Sequence, residues 1–390
     1  MNKTILLILS LFLTPWLIGQ QSGQFIKLGK PEPVDLSLRN EVERAIDKGT
    51  QWLITQQEPE GHWGDPKYPA LTGLAVSTLL NNPEVDAKSK KAIQKGLDFI
   101  VSNVKLDGGI YGKGLGSYNT SLCMMALMQS GDRAYEPIVR KARRFLINQQ
   151  SDFDVRGKTD NMFDGGVGYG SSYSHSDLSN THLAMEALYY SELYLKQSPE
   201  TDLGMDLNWK MAIEFVSRCQ NRPESNKEEW AQNAKKEDIG GFIYFPGKSM
   251  SGEEKLANGK TALRSYGSMS YAGLLSFIYA QMDPADPRVK SVRTWLGKNY
   301  TLKENPGMGP QGLYYYYHTM GKALTLLGDK TLVLEDGQKI NWRAELIKEL
   351  FNNQNPKGFW INENGRWWEK DPVLVTSYAL LTLERLHSTL

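Results

Sequence analysis

The chain has 390 residues, of which 45 are basic and 44 acidic, so its net charge is close to zero. This balance excludes a strongly anionic partner such as nucleic acid, because nothing in the composition would attract one. The chain is 40% apolar and 11% aromatic, which is typical of an ordered globular protein and excludes a disordered one.

The N-terminus has the layout of a secretory signal. Lys3 is followed by an apolar run from Ile5 to Leu13, and a run of this length is too short to span a bilayer core. We therefore expect residues 1–19 to be a signal peptide, with an uncleaved membrane anchor as the alternative. Residues 20–40 are expected to be an extension before the folded part at 41–390. The predicted location is periplasmic or extracellular.

One unit then repeats six times along the chain. Each copy opens with an amphipathic helix that ends near an aromatic or leucine landmark, and the first landmarks are spaced at about 47 residues, as in two-helix repeats. The landmarks are Trp52, Phe99, Phe145, Phe215, Trp295 and Leu350. A glycine-rich, aromatic turn follows each landmark, usually after a Gln or Asn, as in DGGIYG at Asp107 and DGGVGYG at Asp164. A polar insert at about 221–260 is predicted to be a surface loop or lid.

Each unit ends with a second helix whose body is apolar almost all round, as in NTHLAMEALYY, and such helices are buried. A polar residue recurs in the first part of each helix: Thr72, Thr120, Thr181, Ser268, His318 and Thr376. For the five hydroxyls, satisfying unpaired amide groups at a helix start is the ordinary role. Packing six amphipathic helices around six apolar ones predicts an all-α fold, an α/α toroid of six helix-pair repeats in two concentric layers. An open solenoid is the alternative, but the last unit lacks the polar surface of a capping repeat.

The two cysteines of the chain, Cys123 and Cys219, lie in apolar helical patterns. Such positions favour small buried thiols over a disulfide, although an exported protein permits one.

The six units with their Gly-aromatic turns resemble the squalene cyclase and protein prenyltransferase superfamily over about Ala45 to Leu390. This resemblance implies a toroid whose chemistry lies at the starts of the inner helices, around the mouth of a central apolar cavity. SDLSNTH resembles the DxDD segment of class II terpene cyclases, in which Asp177 matches the first acid, while Ser179 and Asn180 replace the proton donor and the last acid. A serine is too weak an acid to protonate an alkene. Protonation-initiated cyclisation is therefore not expected.

The zinc ligands of the prenyltransferases are also incomplete. Tyr266 and Ser268 stand where the resemblance implies an Asp and a Cys, and His318 stands where it implies a His. Neither Tyr nor Ser is a good zinc ligand, so no metal and no cofactor are expected.

The remaining candidates for catalysis are Asp177, His175 and His182. The alternatives are that Asp177 is a helix cap and that His175 is a loop residue. Aromatic and polar residues near the inner-helix starts are candidates for ligand binding: Tyr169, Tyr266, Tyr271, Tyr317, His318 and Thr181. Packing at the seams between units is the alternative, because the four successive tyrosines at 314–317 cannot all face one cavity on a helix.

Three functions follow from these patterns. The first is an exported toroid that binds an apolar, isoprenoid-like ligand or another exported protein without catalysis, and a peripheral membrane contact is compatible with it. The second is a terpenoid cyclase or isomerase that uses Asp177 as its acid. The third is a carbohydrate-active enzyme, which needs two carboxyls flanking a bond, and Asp164 with Asp177 are the candidates.

Overall fold

The structure, a computed structural model, describes residues 36–82, 85–170, 175–200 and 202–390. The predicted signal peptide lies outside the described residues, as do residues 20–35 of the predicted extension. The chain is already helical at Leu36, before the boundary expected at residue 41. The helices are, in chain order, α1 (Leu36–Thr55), α2 (Ala70–Asn81), α3 (Ala87–Ser102), α4 (Gly116–Gln129), α5 (Glu136–Ile147), α6 (Leu178–Leu195), α7 (Trp209–Arg218), α8 (Glu229–Gln232), α9 (Gly267–Tyr279), α10 (Pro287–Lys298), α11 (Leu313–Leu327), α12 (Trp342–Asn352) and α13 (Pro372–His387).

The helices form a closed ring of two layers. The inner helices contact one another in the order α2, α4, α6, α9, α11 and α13, and α13 returns to contact α2. The outer helices are α1, α3, α5, α7, α10 and α12, and α1 packs against both α2 and α13. Every residue of α9 is buried, whereas α1 buries one face, as all-round apolar and amphipathic patterns require. The predicted closed toroid is confirmed, and the open solenoid is wrong.

The first glycine of five turns lies against the outer helix of the next unit. These glycines have φ between 84° and 104°, a region that residues with a Cβ rarely adopt. A Cβ there would lie 2.0 to 2.7 Å from a main-chain oxygen of that helix. The pairs are Gly61 with Lys95, Gly108 with Lys141, Gly165 with Met211, Gly240 with Ser291 and Gly358 with Lys48. The last pair joins the sixth unit to α1, so the same contact that links neighbouring units also closes the ring.

A glutamine at the end of four outer helices reinforces this joint. Its Nε2 donates one hydrogen bond to the carbonyl of the turn glycine and one to a carbonyl at the next outer helix, at 2.8 to 3.0 Å. The four residues are Gln57, Gln150, Gln220 and Gln354. The recurrent Gln of the sequence pattern therefore satisfies carbonyls that the sharp turn leaves without a helical partner.

The repeated hydroxyls bind the turn that precedes them and not the N-terminal amides of their own helix. The Thr72, Thr120, Thr181 and Thr376 side chains accept hydrogen bonds of 2.9 to 3.1 Å from turn amides. In α9 the equivalent residue is Ser270, which accepts from the Phe242 amide at 3.0 Å. The expected register at Ser268 is therefore wrong by two residues. Ser268 instead has its amide and hydroxyl bonded by the Asn305 side chain.

The insert of the fourth unit is anchored by buried polar side chains. It contains α8 and an antiparallel hairpin of β1 (Glu253–Lys255) and β2 (Thr261–Leu263). Asn221 donates to the Leu263 carbonyl and to the Ser265 hydroxyl, and Asp238 accepts from the Ser265 amide. A second hairpin, β3 (Leu332–Val333) with β4 (Lys339–Ile340), lengthens the fifth unit and was not predicted.

Cys123 and Cys219 are buried free thiols, as expected. Burial raises the pKa of both. None of the helices in the described ranges has the length and apolar content needed to cross a bilayer.

Candidate functional site

A cavity of about 160 Å³ lies on the axis of the toroid, walled by five of the six inner helices, α2, α4, α6, α11 and α13. It extends from the middle of these helices to their C-terminal ends, where Asn81, Gln129 and Arg385 line it. This end is opposite to the Gly-aromatic turns, so the cavity is not at the inner-helix starts where the resemblance placed it. Its apolar wall consists of Leu74, Leu122, Met125, Met128, Leu183 and Leu381.

A buried ion pair forms part of the cavity wall. Lys322 Nζ on α11 lies 2.8 Å from Glu186 Oε2 on α6, and the two side chains are only 8% and 6% exposed. Burial alone raises the pKa of Glu186, but the Lys322 ammonium outweighs this and holds that pKa below its usual value. Burial lowers the pKa of Lys322, and the Glu186 charge opposes this effect. Each group therefore stabilises the charged form of the other.

Arg385 adds a second cation to the same wall. Its side chain is partly buried, and within the described ranges no carboxylate forms an ion pair with it. Burial raises the pKa of the adjacent Glu384 carboxyl well above its usual value, which favours the neutral acid. Burial lowers the pKa of His318 well below its usual value, which favours the neutral imidazole. The charged groups of the cavity wall therefore leave one positive charge in excess.

Two cavity-lining oxygens have no hydrogen-bond partner among the described residues. They are the hydroxyl of Ser121, which is 1% exposed, and Oε1 of Gln129. Buried polar atoms in native proteins nearly always have a partner, from protein, water or ligand. These two atoms are available to a molecule in the cavity.

A cluster of one carboxyl and several tyrosines occupies the opposite end of the axis. Asp177 is the N-cap of α6, and its two carboxyl oxygens accept hydrogen bonds of 2.9 and 2.8 Å from the amide and the side chain of Asn180. Burial raises the pKa of Asp177 to about 6. The hydrogen bonds from Asn180, and a further one from Tyr244, act in the opposite direction but do not outweigh burial. The Tyr244 hydroxyl also lies 3.3 Å from the Tyr169 hydroxyl, and its single proton can be donated to only one of these two partners, Asp177 or Tyr169, at a time. We call Asp177, Tyr169, Tyr244 and Tyr266 the tyrosine–aspartate cluster.

The structure thus brings together three of the residues singled out in the sequence, Asp177, Tyr169 and Tyr266, and adds Tyr244. Burial raises the pKa of Tyr169 to about 12 and that of Tyr266 well above its usual value, and the Asp177 charge adds to both. None of the four lines the cavity. The signal for Tyr244 was its place in the turn GGFIYF, which has the aromatic character of the other turns.

The three candidate histidines have different surroundings. The His175 ring packs 4.4 Å from the Phe245 ring. The Nδ1 of His182 lies 2.9 Å from the Ser179 carbonyl, and burial lowers the pKa of His182 to about 4. His318 lines the cavity and stacks on Tyr378 at 5.3 Å. Over the described ranges, no group of three metal-ligating side chains comes together.

Tyr271, Tyr317 and Thr181 take structural positions away from the cavity. Tyr271 packs on the Tyr316 ring at 5.7 Å, and the Tyr317 hydroxyl donates to the Leu302 carbonyl. Tyr316 donates to the Thr301 carbonyl at 2.9 Å. These contacts are those of seams between units.

Asp164 and Asp107 organise their own turns. Asp164 accepts hydrogen bonds from the amides of Phe153 and Asn161 at 2.7 and 2.8 Å. Asp107 accepts from the Gly109 amide and the Tyr111 hydroxyl. Asp164 and Asp177 therefore each have local hydrogen-bond partners, and neither lines the cavity.

The charged cavity residues Glu186, Lys322 and Arg385 were not recognised from the sequence. Their signal was a charge inside a helix that is otherwise apolar all round, in NTHLAMEALYY, YYYYHTMGKAL and TSYALLTLERL. Side chains of this kind are rarely buried unless they are paired or functional.

No family model matches the chain. Solved structures share its fold. The type II terpene cyclase MstE from Scytonema, in complex with merosterolic acid A, aligns with a TM-score of 0.54 and 11% identity over 92% of this chain and 100% of that chain. A GH76 α-1,6-mannanase from Salegentibacter aligns with a TM-score of 0.52 and 11% identity over 88% and 98%. A possible member of the GH105 family from Salmonella enterica aligns with a TM-score of 0.51 and 13% identity over 92% and 96%. These likenesses establish an α/α toroid fold, which a cyclase and a mannanase share and which by itself indicates no activity.

Proposed function

We propose that this protein is a ligand-binding toroid that holds an apolar, isoprenoid-like or acyl-like molecule in its axial cavity, without the protonation-initiated chemistry of cyclases. The observation that carries this proposal is the cavity itself, with six apolar side chains on its wall. Cavities that bind small molecules are concave, mostly apolar and equipped with a few polar groups that fix orientation.

The geometry of Asp177 supports the non-catalytic part of the proposal. A proton donor has to reach the atom that it protonates, whereas this carboxyl is fully buried, accepts two hydrogen bonds from Asn180 and lies apart from the cavity. From Asp177 to Glu186 the axis of α6 rises about 13 Å, at about 1.5 Å per residue. The N-cap role accounts for Asp177 without a reaction.

The nature of the ligand is supported by one protein of the same fold. The terpene cyclase MstE has been solved with merosterolic acid A and with geranylgeranyl dihydroxybenzoate. A toroid of this kind can therefore enclose a terpenoid-derived molecule. Export completes the proposal, on the basis of Lys3 and the apolar run that follows it.

The test is to purify the full chain, extract it with organic solvent and quantify the co-purifying molecules by mass spectrometry. Wild type should release one apolar or amphipathic compound at close to one per chain. Ser121→Phe and Met125→Trp, which fill the cavity from α4, should reduce it several-fold. Ser102→Phe, on the exposed end of α3, is the matched control and should retain it. Equal retention in all four proteins, or no compound in wild type, would refute the proposal.

A further inference from the structure

We infer that the cavity takes an amphipathic molecule with a single carboxylate, which Arg385 and Lys322 hold at the C-terminal end of the inner ring. This inference rests on the proposed function and specifies the chemical class of its ligand. The apolar part of such a molecule would contact α2, α4 and α6, and its carboxylate would meet the cations of α11 and α13.

The balance of charges on the wall sets the charge of the ligand. Lys322 and Arg385 are cationic and Glu186 is anionic, and no other carboxylate is among the residues that line the cavity. One positive charge in partly apolar surroundings therefore lacks a counter-charge. A carboxylate supplies one negative charge at neutral pH, whereas a phosphate monoester supplies about 1.5 to 2 and would overcompensate.

The groups at this end also have the hydrogen-bonding capacity for a carboxylate. A guanidinium presents a planar set of donors that match the two oxygens of a carboxylate. The buried Ser121 hydroxyl lines the same cavity and has no partner among the described residues, but it lies in the N-terminal half of α4 and is therefore not at this end. Lys322 remains bound to Glu186, which keeps its ammonium fixed in the wall.

The neutral side chains strengthen this assignment. Glu384 neighbours Arg385 in the chain, yet its two buried oxygens have no hydrogen-bond partner among the described residues. Glu384 thus forms neither a hydrogen bond nor an ion pair with Arg385, although the Arg385 charge partly offsets the effect of burial on the pKa of Glu384. His318 is buried beside Tyr378, and the nearby Lys322 and Arg385 charges oppose its protonation. The excess positive charge is therefore located at Arg385.

The experiment compares two ligands with the same chain and different heads. Decanoate and 1-decanol are each titrated into the delipidated full-length protein by calorimetry at pH 7.5. Wild type should bind decanoate at least ten-fold more tightly than decanol. Arg385→Met should abolish this preference by weakening decanoate alone, while Arg385→Lys should retain most of it. Arg44→Met, which removes an exposed arginine of α1, is the matched control and should behave as wild type.

The outcomes separate this inference from the proposed function. If both ligands bind wild type equally and Arg385→Met changes neither, the carboxylate site is wrong while the apolar cavity stands. If neither ligand binds wild type, both are overturned. A preference for decanoate that persists in Arg385→Met but is lost in Arg44→Met would place the anion at the outer surface and would also overturn the inference.

Discussion

Lys322 and Glu186 form a 2.8 Å ion pair between α11 and α6, two inner helices that are separated in the ring by α9. The pair is nearly inaccessible and lies in the wall of the axial cavity. The pair therefore links two inner helices that are not neighbours in the ring. It also makes part of the wall polar in a cavity that the sequence predicted to be apolar.

Breaking this pair from one side should destabilise the protein more than removing it entirely. Glu186→Gln leaves the Lys322 ammonium buried without a counter-charge, and we expect a loss of about 3–5 kcal/mol in the free energy of unfolding. The double variant Glu186→Gln with Lys322→Met removes both charges and should recover most of that loss. Urea denaturation of the three proteins measures this. A double variant as unstable as the single one would show that the ion pair is not the cause.

Asp177→Asn should become relatively more stable as the pH rises. Burial raises the folded-state pKa of Asp177 to about 6 from an ordinary value near 3.8, so between these pH values the folded state binds more protons than the unfolded state. The contribution of Asp177 to the free energy of unfolding therefore falls as the pH rises from about 4 to about 6. Asn keeps the capping oxygen and does not titrate. The variant should gain up to about 3 kcal/mol on wild type between pH 4 and pH 7, and a constant difference over that range would contradict the assignment.

His182→Asn should show the opposite pH dependence. Burial lowers the folded-state pKa of His182 to about 4 from 6.5, so in this interval the unfolded state binds more protons. Wild type should therefore lose stability as the pH falls from about 6.5 to about 4, by up to about 3 kcal/mol relative to the variant. Thermal unfolding at pH 7 and pH 4.5 measures the difference. A variant that is as sensitive to acid as wild type would rule out His182 as a source of that sensitivity.

Gly358→Ala should weaken the closure of the ring. Its Cβ would lie 2.5 Å from the Lys48 carbonyl on α1, at a φ of +104°. Gly337→Ala is the matched control, since its φ is +82° and nothing lies within 4 Å of its Cβ. Positive φ alone costs about 1–2 kcal/mol in both, and the clash should cost Gly358→Ala about 1–3 kcal/mol more. Equal losses in chemical denaturation would show that the contact with α1 contributes nothing.

The sequence was sufficient for the fold because its main signals are local. The landmarks from Trp52 to Leu350 and the turn glycines recur at the spacing of a helix pair, and the first turn glycine makes the same contact in five of the six units. The Gln residues at the helix ends were visible in the pattern as well, although their double hydrogen bonds to the next unit were not. Closure follows from Gly358, whose contact with α1 repeats the contact of Gly61 with α3.

The site was less accessible to sequence reasoning because inner helices that are apolar all round do not reveal which face lines the axis. Glu186 and Lys322 are 136 positions apart, and only the closure of the ring brings them together. The resemblance implied functional groups at the inner-helix starts. The hydroxyls found there instead bind the amides of the preceding turns, in Thr72, Thr120, Thr181 and Thr376. His318 was singled out because it stands where the resemblance implies a zinc-binding histidine. In the structure it lines the axial cavity from α11.

The most direct test of the central claim is to locate a bound ligand on the chain. A decanoic acid analogue with a diazirine on its chain is irradiated with the full-length protein, and the labelled residues are identified by mass spectrometry. We expect labels on the cavity-lining residues of α4 and α6, such as Met125, Met128 and Leu183, and excess decanoate should suppress them. Labels confined to the insert at 221–260 or scattered over the outer helices would contradict an axial binding site.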